Sequence, residues 1–390
     1  MTAHTFVVLC GPSLSPANMP GMTTHTFKRR AFLAASGLAA VTGLTGCATT
    51  HAATAAPRLR LIGETRLPHS LQFQNTTVGG LSGIDFDQAS GRLCLLSDDG
   101  GSQSPPRFYT ARLALTADKF SDIELTDVTF LQGFNAPDPE AIRWHAPSQS
   151  LLWTSEGNAV SFTATALHQA RTDGSLMRTL TMPAMFNFGL QSGARINKTL
   201  EGLATTPDGQ TAWVAMEAAL RQDGDEPTVL SSGGPSRFTQ IDLASGKVVK
   251  QIAYPLDAIP RAPSSPTANA DNGVVEILML DAHHMLVLER AYMAGLGDKH
   301  RNSIRLYAID TRQATDTQNT AALKPGNHTS AGKTLIADFS NYPALTRLDN
   351  TEGMCWGPVL ANGNHSLLFV SDDNFNSRQI TQFLAFEFLE

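Results

Sequence analysis

The stretch Glu201-Gly-Leu-Ala-Thr-Thr-Pro-Asp-Gly-Gln-Thr-Ala-Trp-Val-Ala-Met-Glu217 holds two apolar runs around Asp208-Gly209, with a carboxylate at each end. Asp-Gly between two short apolar runs is a hairpin signal. A hairpin returns its end to the side where it began, so Glu201 and Glu217 fall at one edge. The unit recurs. Ser82-Gly-Ile-Asp-Phe leads to Leu95-Leu-Ser-Asp98, and Glu140-Ala-Ile-Arg-Trp leads to Leu152-Trp-Thr-Ser-Glu156. Glu276-Ile-Leu-Met-Leu leads to Leu286-Val-Leu-Glu289, and Glu352-Gly-Met-Cys-Trp leads to Leu368-Phe-Val-Ser-Asp372. The marked positions lie sixteen residues apart in the first three units and thirteen and twenty apart in the last two.

Between the hairpins run further alternating segments, such as Phe108–Leu113, Met177–Met182, Phe238–Leu243 with Val248–Ala253, and Ile304–Ile309. Each has the period of two that marks a half-buried strand. One unit is therefore four strands, and units of four strands in series are the pattern of a β-propeller. The expectation is an all-β propeller of five four-stranded blades. A degenerate unit within 218–236 or 311–340 would make six. Ile380–Leu389 supplies a third strand to the last unit, and Leu59–Leu67 precedes the first hairpin without a partner of its own. Joining the N-terminal strand to the last blade would close the ring and cover both sheet edges.

The N-terminal region reads as an address. Lys28-Arg29-Arg30 is a twin-arginine pattern, followed by an uncharged stretch that ends in Leu44-Thr45-Gly46-Cys47. That stretch is too short to span a bilayer and suits a signal segment. Its end resembles a bacterial lipobox, with Cys47 lipidated; cleavage near Ala52-Ala53 is the alternative. Met22 offers a later start for translation. The expected organisation is a signal segment over 1–47, a tether over 48–57 and one domain over 58–390. The expected location is the periplasm or an outer membrane, with membrane contact only through the anchor. A monomer is expected.

The 390 residues carry 29 basic and 35 acidic side chains, and removal of residues 1–47 takes away three of the basic ones and leaves a formal charge of −9. This balance argues against a nucleic-acid partner. Beyond Cys10 and Cys47 only Cys94 and Cys355 remain, without a Cys-x-x-Cys spacing, so a zinc–thiolate site is not expected. Two buried thiols are expected, with a Cys94–Cys355 disulfide as the alternative.

In a propeller the hairpin ends converge on one mouth. Asp98, Asp99, Glu140, Glu156, Glu201, Glu217, Glu276, Glu289, Glu352, Asp372 and Asp373 would gather there. Two carboxylates about 5 Å apart repel by roughly 3 kcal/mol at an effective dielectric near 20. Cations, arginines or shared protons must offset this. Oxygen-only clusters suit Ca²⁺ or Mg²⁺. The recurring Glu140, Glu201, Glu276 and Glu352 read equally as clasps between blades or as site lining. The doubled acids Asp98-Asp99 and Asp372-Asp373 break the repeat and are the expected metal ligands. No Gly-x-Ser-x-Gly elbow is present, which argues against that serine-hydrolase arrangement. His300 is the one histidine placed near the acids.

Gly80-Leu-Ser-Gly-Ile-Asp-Phe with Leu96-Ser-Asp-Asp-Gly100, Asp138-Pro-Glu-Ala-Ile with Ser155-Glu-Gly-Asn158, and Leu200-Glu-Gly-Leu-Ala resemble one known set of motifs. Leu288-Glu-Arg290 and Asp349-Asn-Thr-Glu-Gly-Met with Val370-Ser-Asp-Asp-Asn374 extend the match across residues 60–390. Together they resemble the "esterase-like activity of phytase" family, also called phytase-like. The resemblance implies an exported propeller and a hydrolase of phosphoesters or esters. The expected chemistry is metal-assisted hydrolysis, with Glu201 or Glu352 accepting a proton and Arg290 with Arg301 stabilising the developing anion. A lactonase and a non-catalytic envelope lipoprotein that binds a ligand or partner are the alternatives.

Overall fold

The computed structural model describes residues 58–389 apart from residue 136. Cys10, Cys47, the twin-arginine segment and the tether lie outside the described residues. The described chain forms five four-stranded antiparallel sheets and one two-stranded hairpin. Blade one is Leu81–Asp87, Arg92–Ser97, Arg107–Leu115 and Phe120–Phe130; blade two is Pro139–His145, Ser150–Ser155, Ala166–Ala170 and Leu176–Thr181. Blade three is Leu200–Thr205, Thr211–Met216, Ser236–Asp242 and Val248–Tyr254; blade four is Ala270–Met279, His284–Met293, Asn302–Asp310 and Lys333–Asp338. Blade five is Asn350–Val359, His365–Asp372 and Thr381–Leu389, completed on its outside by Arg58–Leu67.

The first strand of each blade packs on the first strands of its two neighbours, and blade five returns to blade one. This is a five-bladed propeller, closed as the unpaired N-terminal strand predicted. Leu59 lies opposite Phe388 and Leu67 opposite Thr381. Neither long spacer hides a sixth blade: Lys333–Asp338 is the outer strand of blade four, and 218–235 carries no strand. Three blade strands were not revealed by the pattern: Phe120–Phe130 of blade one, Ala166–Ala170 of blade two and Lys333–Asp338 of blade four.

The apolar faces of the strands form five clusters, and each cluster joins two adjacent blades. Leu96, Phe108, Ile142 and Trp153 fill the space between blades one and two. Leu152, Leu203 and Val214 fill the next, and Trp213, Phe238, Ile277 and Val287 the next. Leu286, Leu306, Phe369 and Phe386 join blade four to five, and Leu95, Tyr109, Leu368 and Phe383 close the ring. Cys94 and Cys355 are buried and unpaired, and burial pushes the Cys94 thiol up to about 12. The thiols thus sit in the core as small apolar groups.

Along the central axis the inner strands cannot pair with one another as a sheet, so their backbone groups need other partners. Arg143, on the inner strand of blade two, meets this need. Its guanidinium donates to the carbonyls of Ile84 (2.9 Å), Ile142 (2.7 Å), Ile277 (3.1 Å) and Met354 (3.0 Å). These belong to blades one, two, four and five. Glu276 stands 2.8 Å from the same guanidinium and accepts from the Leu203 amide of blade three at 2.8 Å. The pair touches all five blades and is almost wholly buried.

Removing one partner of a buried pair costs about 3–5 kcal/mol. Arg143→Leu is expected to lower the unfolding free energy by about that much in urea titration, since it strands both Glu276 and four carbonyls. Arg143→Leu with Glu276→Leu should recover part of the loss. A single variant as stable as the parent would show that the pair does not hold the ring together.

Candidate functional site

Each inner strand bulges near its start, where one repeat position is skipped in the pairing with the second strand. The skipped residues are Ser82, Glu140 with Ala141, Glu201, Val275 and Glu352. A bulge re-aims the side chain it carries. At the other end of the hairpin, the residue just after the pair that precedes the bulge is Asp98, Glu156, Glu217, Arg290 or Asp372 in blades one to five. These ten positions are the true repeat. Blade four departs from the spacing read in the sequence. Its equivalents of Glu201 and Glu217 are Val275 and Arg290, and Glu276 and Glu289 each stand one residue out of step.

A slip of one residue in a strand turns a side chain to the opposite face. Glu276 accordingly points into the axis, onto Arg143. Glu289 points between blades three and four, where it accepts from Lys333 Nζ (2.6 Å), Tyr254 Oη (2.7 Å) and Asn272 Nδ2 (2.9 Å). Neither lines the mouth. Both fasten neighbouring parts of the fold.

The mouth is a cavity of about 890 Å³ lined by Asp98, Glu140, Glu156, Glu201, Glu217, Asp271, Glu352 and Asp372, with Lys198, Arg290, Arg301 and Arg378 as its basic groups. Three of the acids come closest: Glu140, Glu156 and Glu201 each offer an oxygen within 4.8 Å of the others. Burial, followed by the neighbouring carboxylates, pushes Glu140 and Glu201 well above the ordinary range. Burial lifts Glu156 to about 8 even though the Thr199 amide donates to it at 2.6 Å. Asp98 and Asp372 are raised well up for the same reason, and burial takes Glu352 to about 7 against the pull of Arg290.

Arg290 bridges the other side of the ring, 3.5 Å from Glu217 and 3.6 Å from Glu352. Its Nε is buried and has no hydrogen-bond partner. Lys198 lies 3.9 Å from Glu217 and 3.3 Å from Asp271. The charge of the mouth is therefore lopsided. Arg290 and Lys198 face Glu217, Asp271 and Glu352, while Glu140, Glu156 and Glu201 make no ion pair among the described residues. Lys198 was missed in the sequence. The signal was present, since it lies three residues before Glu201, on the connection that enters blade three from the mouth side.

The doubled aspartates divide. Asp98 and Asp372 line the cavity, and the residue after each does not. Asp99 accepts from the amides of Gly101, Ser102, Gln103 and Ser104 at 3.1, 2.6, 3.0 and 2.7 Å and from Arg107 at 2.8 Å. Against the upward push of burial, these donors hold it down to about 2. Asp373 accepts from the amides of Gly80 (3.0 Å) and Phe375 (3.1 Å). Both organise loops. The fourfold set of Asp98, Asp99, Asp372 and Asp373 is thus not brought together at the cavity.

Arg301 lines the cavity but its guanidinium lies 3.5 Å from Asp349 and 3.6 Å from Asp298, which ties it to the rim. His300 is on an exposed loop beside Arg261, at 2.6 Å, and does not line the cavity. The geometry offers a carboxylate cluster on one side, a buried arginine on the other, and room for a small molecule between them.

Among curated proteins nothing matches the sequence. The chain is similar to hydrazine synthase of Kuenenia stuttgartiensis, at 12% identity over 77% of this chain and 80% of that one, with a TM-score of 0.34. A luciferin-regenerating enzyme matches at 10% identity over 84% and 95%, with a TM-score of 0.38. The periplasmic gluconolactonase PpgL of Pseudomonas aeruginosa matches at 12% over 80% and 89%, with a TM-score of 0.35. Likeness at these TM-scores carries no argument about this chain. Family membership is another matter: residues 76–375, the span that builds all five hairpins, match the Phytase-like family described as "esterase-like activity of phytase", and the chain belongs to it.

Proposed function

We propose that the protein is a metal-assisted hydrolase acting on phosphoesters or esters in the mouth of the propeller. The observation that carries this reading is the Glu140–Glu156–Glu201 cluster, three hard oxygen donors within 4.8 Å of one another and without an internal cation. The donor set fits Ca²⁺ or Mg²⁺ better than a softer metal. A cation bound there would supply a Lewis acid beside the cavity. Asp98, from the adjoining blade one, and Asp372, from blade five beyond it, would extend the set.

The chain's own residues supply the rest. Glu352 lines the same cavity in contact with Arg290, at 3.6 Å, and burial pushes its carboxyl up to about 7. A carboxylate so placed suits proton transfer near neutrality. Glu201 is the other candidate for the same role. Arg290 is a fixed positive charge with an unused buried N–H, suited to an oxyanion that forms during reaction. Arg301, at the rim, would steer an anionic substrate inward. The proposal extends to location. The twin-arginine pattern and Leu44-Thr45-Gly46-Cys47 support export and lipidation at Cys47, and no helix among the described residues is long and apolar enough to cross a membrane.

A purified-protein panel of phosphomonoesters, carboxyl esters and lactones tests the activity. Turnover of one class is expected to disappear with chelator and return with Ca²⁺ or Mg²⁺. Glu201→Gln is expected to lower kcat about 100-fold or more. No turnover of any class, or turnover indifferent to chelator and to Glu201→Gln, would sink the reading. Turnover of lactones alone would move the substrate class and leave the site.

The raised carboxyls also set a pH dependence. Each holds its proton to higher pH when folded than when unfolded, so the folded state binds the extra protons and stability falls as pH rises. With chelator the melting temperature is expected to drop between about pH 4.5 and 8, the window between an ordinary glutamate and Glu156. The drop should be on the order of 5 °C or more, and Ca²⁺ at pH 8 should restore it. A melting temperature flat across that window, or unmoved by Ca²⁺, counts against the cluster as a cation site. Arg290→Met should deepen the drop, because Glu217 and Glu352 then lose their shared counter-charge.

A further inference from the structure

The face opposite the mouth carries a second large cavity, about 1090 Å³, between blades four and five. Its apolar part includes Trp356, Phe388, Leu280 and Val359, and its rim carries His284, His365, Asp281 and Asp310, the two aspartates lying against His284 and Asp310 also against Arg312. Trp356 packs edge-on against Phe388, with ring centroids 5.3 Å apart. Val359 at the lip is 54% exposed. No part of the mouth chemistry uses this groove.

Its position in the topology is informative. The ring-closing strand begins at Arg58, with Leu59 paired to Phe388, and ends on the mouth side at Leu67. The chain therefore enters the propeller at the groove. From Cys47 to Arg58 the tether spans no more than roughly 40 Å when fully extended, so an anchor at Cys47 holds the groove face close to the bilayer. Tryptophan at the head of an apolar surface suits the membrane interface.

We propose that the groove between blades four and five is where the protein rests on the bilayer that holds its N-terminus, so that the acidic mouth opens away from the membrane. This rests on the reading of Cys47 as lipidated. The rival surface is on the mouth side. Phe162, Leu190 and Leu230 are 92, 98 and 95% exposed there. They stand on separate loops of blades two and three, away from the point of entry.

The test reconstitutes the full acylated chain into phosphatidylcholine vesicles whose acyl chains carry bromine, a short-range quencher of tryptophan. Four tryptophans are present, at 144, 153, 213 and 356. Emission is expected to fall in the brominated vesicles, and the fall should vanish in Trp356→Phe. Val359→Asp, at an exposed position, should weaken the quenching without unfolding the protein. It serves as the check should Trp356→Phe fail to fold. Leu190→Trp placed in the Trp356→Phe chain should stay bright. An unquenched Trp356 or a quenched Leu190→Trp reporter overturns the orientation. Mass spectrometry of the mature N-terminus separates the two premises: an acylated chain without quenching refutes the resting face alone, and an unacylated chain refutes the anchor and the proposal with it.

Discussion

The ion pair of Arg143 and Glu276 at the axis is the contact on which the rest of the molecule turns. Five inner strands that converge on a centre leave carbonyl and amide groups facing one another across a space too narrow for another strand. Arg143 donates to four of those carbonyls, and Glu276 accepts the Leu203 amide. Two buried charges are costly unless their hydrogen-bonding groups are used. Here most are used: Arg143 meets four carbonyls and Glu276 accepts the Leu203 and Ile277 amides through one oxygen, while Arg143 Nε and the second Glu276 oxygen, 2.8 Å from the guanidinium, make no hydrogen bond. The apolar clusters between blades then complete a ring whose geometry the centre has set.

The same pair explains why the mouth is asymmetric. Placing Glu276 on the axis puts blade four one residue out of step with the others. Arg290 then takes the place where the other blades have Asp98, Glu156, Glu217 and Asp372. A ring of five acids would be strongly self-repelling. With Arg290 in it, Glu217 and Glu352 gain a counter-charge in direct contact, while Glu201 feels Arg290 only from a distance and Glu140, Glu156 and Glu201 make no ion pair among the described residues. On the proposed function, the positive wall and the acidic wall would hold an anion and a cation together. That capacity arises from a defect in the repeat and not from the repeat itself.

Much of this was legible along the chain, because a β-hairpin is a local structure. Alternation, turn residues such as Asp208-Gly209 and the recurrence of acids at hairpin ends were enough to predict five blades and their closure by Leu59–Leu67. The convergence of Asp98, Glu140, Glu156, Glu201, Glu217, Glu352 and Asp372 followed from the same periodicity. The strand Ala166–Ala170 escaped because it is short and preceded by a polar loop. Glu276 and Glu289 were misplaced because an acid at about the right spacing looks the same on either face of a strand.

Composition and local pattern determined that this chain is a five-bladed ring with a carboxylate-lined end, since hydrophobic alternation and turn chemistry act within a few residues. Which acids face the cavity was decided by pairing between strands. The bulges at Ser82, Glu201, Val275 and Glu352, and the wider one at Glu140, set the face each side chain takes, and no stretch of sequence encodes a bulge by itself. The same holds for Asp99, which amides of its own loop draw away from the mouth, and for Asp373, which the Phe375 amide of its own loop and the Gly80 amide beside blade one draw away. Their partners Asp98 and Asp372 remain in it because a side chain's direction at a strand end depends on what the neighbouring blade leaves open.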